Sequence, residues 1–164
     1  MNQPPGDVRF PVVLRVTSET CNLVTVRSAV LAVTRQIGFD EPDVSAIALA
    51  IDEAVANVIR HGYEGRPGHP IEIIFDRLNN REGPGLEVRI CDRGRQVAPA
   101  TIVGRELDDV RPGGLGTHII RTVMDEVEYS LRQPEGMQVR LVKRLKNCDD
   151  VSESSESPCS RGGG

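Results

Sequence analysis

The 164-residue sequence predicts an α+β protein built as a two-layer α/β sandwich. Three observations lead there. Segments of helical and strand period fall in blocks, with helices grouped between hairpins and not in the strict alternation of a parallel sheet. Two pairs of alternating apolar runs are each joined by a short polar segment containing Gly and Pro, the mark of antiparallel hairpins. Apolar residues make up 38% of the chain with no Trp and only 3% aromatics, so a single core must be packed from Val, Ile, Leu and Ala.

The first strand is expected over residues 8–16, where PVVLRV is rich in β-branched side chains. A helix follows over 19–37 and stops at Gly38. Asp40 is the N-cap of a second helix with Pro42 in its first turn. Val44, Ile47, Ala48, Ile51, Val55, Val58 and Ile59 give that helix a wide apolar face, and it ends near His61-Gly62. Residues 71–78 and 86–91 form a hairpin with a loose turn at NNREGPG. The polar stretch 92–112 reads as a mobile loop, and 113–125 as a helix entered through glycine. Residues 126–131 and 137–145 make a last hairpin turned by Gln133-Pro134-Glu135-Gly136. The domain therefore spans 8–146, and the acidic, serine-rich segment 147–164 is expected to be a disordered tail.

Composition removes several functions. A net charge of −4 and the scarcity of aromatic side chains argue against direct nucleic-acid binding. The longest apolar run, 46–51, is far too short to span a bilayer, and the N-terminal residues have no signal-peptide character. Cys21, Cys91, Cys148 and Cys159 lack Cys-x-x-Cys spacing and form no zinc pattern with His61, His69 or His118. The chain reads as a reduced, soluble, cytoplasmic protein with no membrane partner.

Three motifs carry chemistry. In IALAIDEAVANVIRHGY, residues 47–63, Glu53 and Asn57 lie one helical turn apart among small and apolar residues. A carboxamide oxygen together with phosphate oxygens can complete a Mg²⁺ shell, and a neighbouring carboxylate can take a proton from an attacking hydroxyl or water. An isolated pair of this kind reads first as a solvated helix face. Asp92 directly follows a strand and can accept a hydrogen bond from a ligand amino group, while Gly94 admits close approach of a flat base; the bland alternative is an ordinary turn. Arg111-Pro112-Gly113-Gly114-Leu115-Gly116-Thr117 enters an apolar helix, and backbone N–H groups there suit phosphate oxygens, with Arg111 adding a full charge. A glycine hinge explains the same residues equally well. It matches neither the Rossmann fingerprint nor the P-loop. In this order the three motifs could wrap one nucleotide.

Glu53-x-x-x-Asn57 with His61-Gly62-Tyr63, then Asp92-x-Gly94, then Gly114-x-Gly116, resembles the N, G1 and G2 boxes of the GHKL, or Bergerat-fold, ATPases. DEAVANVIRHGY, GGLGTHIIRTVMDEVEY and VRLVKRL are similar in particular to the stand-alone anti-sigma-factor serine/threonine kinases, over about residues 8–146. The resemblance implies a mixed, mostly antiparallel sheet, ATP and Mg²⁺ in a cleft, Asn57 on the metal, Asp92 on the adenine amino group and Glu53 as general base. It implies a nucleotide cradle that includes Gly94, Arg111, Gly113, Gly114, Leu115, Gly116 and Thr117. It also implies two protein partners, a STAS-domain anti-anti-sigma factor as phosphoacceptor and a sigma factor held inactive, and a homodimer. Two positions depart from the pattern: Gln96 stands where many relatives have a second glycine, and Gly136-Met137 replaces the usual Gly-Thr.

These departures motivate a second reading, a nucleotide-binding regulatory module that acts only by holding partners. A third, the catalytic domain of a sensor histidine kinase, is disfavoured because no histidine-bearing dimerisation helix pair or membrane span precedes the domain in this sequence. His61 reads as a helix end, Cys91 as a small buried hydrophobe, and Arg140, Lys143, Arg144 and Lys146 as a solvated basic stripe on the last strand.

Overall fold

The protein is described here by a computed structural model covering residues 9–81, 83–100, 102 and 115–146. Its elements run β1 (Val12–Thr17), a 3₁₀ turn (Thr20–Asn22), α1 (Leu23–Ile37), α2 (Glu41–Asn57) continued by a π-helical turn (Val58–Gly62), β2 (Pro70–Asn80), β3 (Gly83–Cys91), α3 (Leu115–Val123), β4 (Glu126–Leu131) and β5 (Met137–Arg144). The strands form one sheet in the order β1-β2-β3-β5-β4. Every pairing among the described strands is antiparallel, so the parallel component implied by the resemblance is not found there.

Strand alternation builds the two layers. Ile71, Ile73 and Phe75 of β2, Leu86, Val88 and Ile90 of β3, and Val139 and Leu141 of β5 are buried, and the residues that alternate with them are mostly partly exposed, although Gly85, Cys91 and Val142 are buried as well. Against this face pack Val26, Val30 and Val33 of α1, Ile47, Ile51 and Val55 of α2, and Ile120 of α3. α2 lies between α1 and α3, which makes it the central helix of its layer. That position explains why its apolar face is so wide.

Local chemistry fixes the helix ends. Gly38 adopts φ 110° and its N–H reaches Thr34 and Arg35 carbonyls, as a left-handed C-terminal stop requires. Asp40 caps α2 by accepting the Asp43 N–H at 2.8 Å, and Glu41 and Asp43 complement the positive end of the helix. Several expected boundaries shift. Glu19 is extended and the α-helix begins only at Leu23, after the 3₁₀ turn. β1 begins at Val12 and runs to Thr17, one residue beyond expectation; Val8 lies outside the described residues. The turn at NNREGPG is not loose: the β2–β3 ladder continues to the Asn80–Gly83 pair, because Gly83, at φ 108°, supplies a left-handed turn position. Within 92–112, the described residues 99, 100 and 102 are helical. Residues 92–98 are described and carry neither helix nor strand, while residues 101 and 103–112 and the tail at 147–164 lie outside the described residues.

The basic stripe is also not a free solvated face. Arg140 reaches Glu87 and Glu126 at 2.7 Å each, Arg144 reaches Glu126 at 2.6 Å, Lys143 reaches Asp125 at 3.1 Å and Lys146 reaches Asp43 at 3.0 Å. Cys91 is buried as expected, and burial pushes its thiol pKa up, which makes it a poor nucleophile.

α1 and α2 are tied by two ion pairs, an exposed one between Arg35 and Glu41 at 2.7 Å and one that reaches into the core. Arg27 binds Asp52 Oδ2, while the buried Asp52 Oδ1 has no partner among the described residues. Burial pushes the Asp52 pKa up and Arg27 opposes that shift. Arg27→Ala should therefore destabilise the protein by about 1–3 kcal/mol near neutral pH, less than a fully buried pair costs because the guanidinium is half in water. A folded-state pKa raised above the unfolded value makes stability fall as pH rises from the ordinary aspartate range. The loss should accordingly shrink in acid. Urea titrations of both proteins across pH check this; a pH-independent difference contradicts it.

Candidate nucleotide site

The site is organised by the end of α2. Glu53 and Asn57 project one turn apart, and directly beyond Asn57 the helix widens into the π-turn Val58–Gly62. Such a turn re-aims the chain at the close of a helix. Here it delivers the Gly62 carbonyl and the Tyr63 ring to the segment that follows β3. The Gly62 carbonyl accepts the Arg95 N–H at 2.9 Å, and Tyr63 Oη accepts the Arg93 N–H at 2.8 Å.

Asp92 stands where β3 ends. It is 3% exposed, and its Oδ1 accepts N–H groups from Gly94 at 2.7 Å and Met137 at 3.2 Å. No donor among the described residues reaches Oδ2. Burial pushes the Asp92 pKa up; the two amide hydrogen bonds, then the charge of Arg132, oppose that shift. One oxygen is thus fixed by the protein and the other is left for a donor from outside.

Close approach requires a glycine at 94 and crowds position 116. A Cβ at Gly94 would stand 2.4 Å from the Gly62 carbonyl oxygen, so this glycine serves contact with the protein's own backbone. A Cβ at Gly116 would stand 2.5 Å from Glu53 Oε2, which places the start of α3 directly over the Glu53 carboxylate. Thr117 is half-buried beside it. Leu115 opens α3, while Arg111, Gly113 and Gly114 lie outside the described residues. Glu53, Asn57 and Gly116 are therefore brought together at one end of the site, and Gly62, Asp92 and Gly94 at the other.

Residues 16–143 match the histidine kinase-like ATPase domain. The chain belongs to that family. It is similar to Serine-protein kinase RsbW of Bacillus thuringiensis strain Al Hakam, 27% identical over 142 residues that cover 81% of this chain and 84% of the relative. RsbW of Bacillus cereus strain 03BB102 matches with the same identity and coverage, and RsbW of Bacillus anthracis strain CDC 684 matches at 26%.

The residues present fit a Mg²⁺–nucleotide of the kind this ATPase family uses. Among the described residues no group of three or more His, Cys, Asp or Glu side chains could hold a metal by itself. A lone carboxamide is then appropriate for an ion that takes its other ligands from phosphate and water. The buried, half-satisfied Asp92 suits a base that donates an amino hydrogen.

Sequence reasoning missed two contributors. Arg60 places Nη2 at 3.3 Å from Glu53 Oε2 and 3.5 Å from Asn57 Oδ1, linking the two site residues of α2. Its +3 spacing from Asn57 was the available signal. Gly136 was read as a turn residue and as the first half of the Gly136-Met137 departure, without a role at Asp92. At φ 88°, with a hypothetical Cβ 2.0 Å from the Asp92 carbonyl oxygen, it lets the β4–β5 turn close over Asp92. The two departures from the family pattern are absorbed structurally. Gln96 Nε2 bonds the carbonyls of Arg132 and Gly136 at 2.6 and 3.2 Å, and Met137 is buried with its N–H on Asp92.

Asp92→Asn separates stability from binding. Its carboxamide oxygen can keep both amide bonds, whereas its NH₂ would face a base amino group donor to donor. Because the folded pKa of Asp92 is raised, its carboxylate makes stability fall as pH rises above the ordinary aspartate range, and the Asn variant lacks that fall. The variant should be as stable as the wild type or more so at neutral pH, with adenine-nucleotide affinity down by about tenfold or more. Denaturant melts and calorimetry with ATP provide the check.

Proposed function

We propose that this chain is an ATP-dependent protein serine/threonine kinase that acts as an anti-sigma factor in the bacterial cytoplasm. In this reading it phosphorylates a STAS-domain anti-anti-sigma protein, sequesters a sigma factor and works as a homodimer. The observation that carries the reading is the pairing of two half-sites on one rigid connection. A proton acceptor, Glu53, lies against the entry to α3, and a half-satisfied buried carboxylate, Asp92, lies beyond the π-turn. Family membership and the serine-protein kinase relatives support the same conclusion.

Each residue has a defined task in this mechanism. Asp92 Oδ2 accepts the adenine amino hydrogen, while its Oδ1 is held by Gly94 and Met137. Asn57 Oδ1 would ligate Mg²⁺, which supplies charge neutralisation at the phosphates. Gly116 leaves room at the helix N-terminus for Glu53, whose carboxylate takes the hydroxyl proton of the acceptor serine or threonine as its oxygen attacks the γ-phosphorus and the bond from that phosphorus to the β,γ-bridging oxygen breaks, releasing ADP. Arg60 holds the side chains of Glu53 and Asn57 in register. Catalysis of this type rests on positioning and electrostatic stabilisation, with little covalent work for the protein.

A second reading, a nucleotide-binding module without transfer activity, is favoured by Gln96. Its side chain bonds the carbonyls of Arg132 and Gly136, whereas the family pattern often has an unencumbered glycine there. Calorimetry with ATP and ADP, followed by incubation with labelled ATP, Mg²⁺ and candidate STAS-domain proteins, distinguishes the two. Phosphoserine or phosphothreonine on the acceptor is expected; nucleotide binding without transfer to any candidate would favour the module. Glu53→Ala should lower transfer by about 10²–10⁴-fold while changing ATP affinity by no more than about twofold. Equal turnover in the variant would remove Glu53 as the base.

A further inference from the structure

Tyr63 is the only described side chain that ties the end of the α2 layer to the Asp92 turn by a hydrogen bond to the turn's own backbone. The ring is 3% exposed and stacks on His69 at a centroid distance of 4.8 Å with an interplanar angle of 12°. The hydroxyl uses both of its capacities: it donates to the Pro70 carbonyl at 2.5 Å and accepts the Arg93 N–H at 2.8 Å. Burial raises the phenol pKa, the Arg93 N–H opposes that shift, and the group stays a neutral donor.

Arg93 directly follows Asp92, so its amide orientation fixes the peptide that carries the carboxylate. The neighbouring contacts leave little slack. Gly94 sits against the Gly62 carbonyl, the Arg95 N–H bonds the same oxygen, and the Asp92 N–H bonds the Met137 carbonyl at 3.0 Å. Losing the Tyr63 hydroxyl would strand one amide in this chain of contacts and let the Asp92 peptide rotate to find another acceptor. A carboxylate that discriminates by a single hydrogen bond tolerates such rotation poorly.

We propose that the Tyr63 hydroxyl is the positioning residue for base recognition, holding the Arg93 amide so that Asp92 Oδ2 meets the exocyclic amino group of an adenine nucleotide. The proposal deepens the nucleotide reading above and rests on it. It assigns Tyr63 no contact with ligand. Its effect is confined to the part of the affinity that depends on the amino group.

The test compares two ligands in two proteins. ATP and purine riboside triphosphate, which lacks the amino group, are titrated calorimetrically into the full chain with Mg²⁺ and into Tyr63→Phe, a change that keeps the ring and its stack on His69. The wild type should prefer ATP by about ten- to a hundredfold, the value of one hydrogen bond to a charged group. In Tyr63→Phe this ratio should fall about five- to tenfold, mostly through weaker ATP binding. A purely structural role lowers both affinities together and leaves the ratio unchanged, and that result overturns the proposal. Equal affinity for both ligands in the wild type removes Asp92 as the reader of the amino group and the proposal with it. Failure of the folded wild type to bind either ligand overturns the nucleotide reading itself.

Discussion

The Gly62 carbonyl receives the Arg95 N–H at 2.9 Å and lies so near Gly94 that a Cβ there would meet it at 2.4 Å. This contact joins the end of the helix layer to the end of the sheet. α2 carries Glu53 and Asn57, and Asp92 directly follows β3; core packing sets the two elements side by side, and this contact fixes their C-terminal ends against each other. A side chain at 94 would push the two ends apart and divide the site into unrelated halves. The π-turn after Asn57 is what brings the carbonyl there, since a helix continued in α geometry would present a different group at that point.

The elements were legible because their periodicities were clean. α2 shows its apolar face, its Asp40 cap and its proline entry in sequence alone, and β4 runs over the residues that alternation indicates. The errors came where backbone geometry outweighs side-chain pattern. Gly83 looked like part of a loose turn, yet a left-handed glycine allows the ladder to run almost to the tip. The basic stripe looked solvated because a strand reading cannot reveal which carboxylates face it across the sheet. Glu126 and Glu87 are remote in sequence from Arg140 but meet it through the registers of β5 with β4 and β3.

The candidate site was legible to the extent that it was written in residue type. Glu53, Asn57, Asp92 and Gly116 stand out chemically. Their support does not: Tyr63, Gly136 and Gln96 act through backbone amides and carbonyls, which carry no sequence signature. Gly94 was noticed for the room it could give a base, whereas its surroundings require a glycine for contact within the protein. Asp52 shows the converse. It is buried and charged next to Glu53, but its partner is Arg27 on α1, and its place is in the packing of the helix layer.

A buried carboxylate with one oxygen held by two amides and the other without a protein donor is costly in an empty protein. The central claim is that this cost serves adenine recognition at one end of a cleft whose other end is Glu53 and Asn57. The most direct measurement is a crystal structure of the protein with Mg²⁺ and a non-hydrolysable ATP analogue. The account predicts the adenine amino group on Asp92 Oδ2 and the metal on Asn57 Oδ1. A nucleotide bound elsewhere, or one whose base leaves Asp92 facing only water, would contradict it.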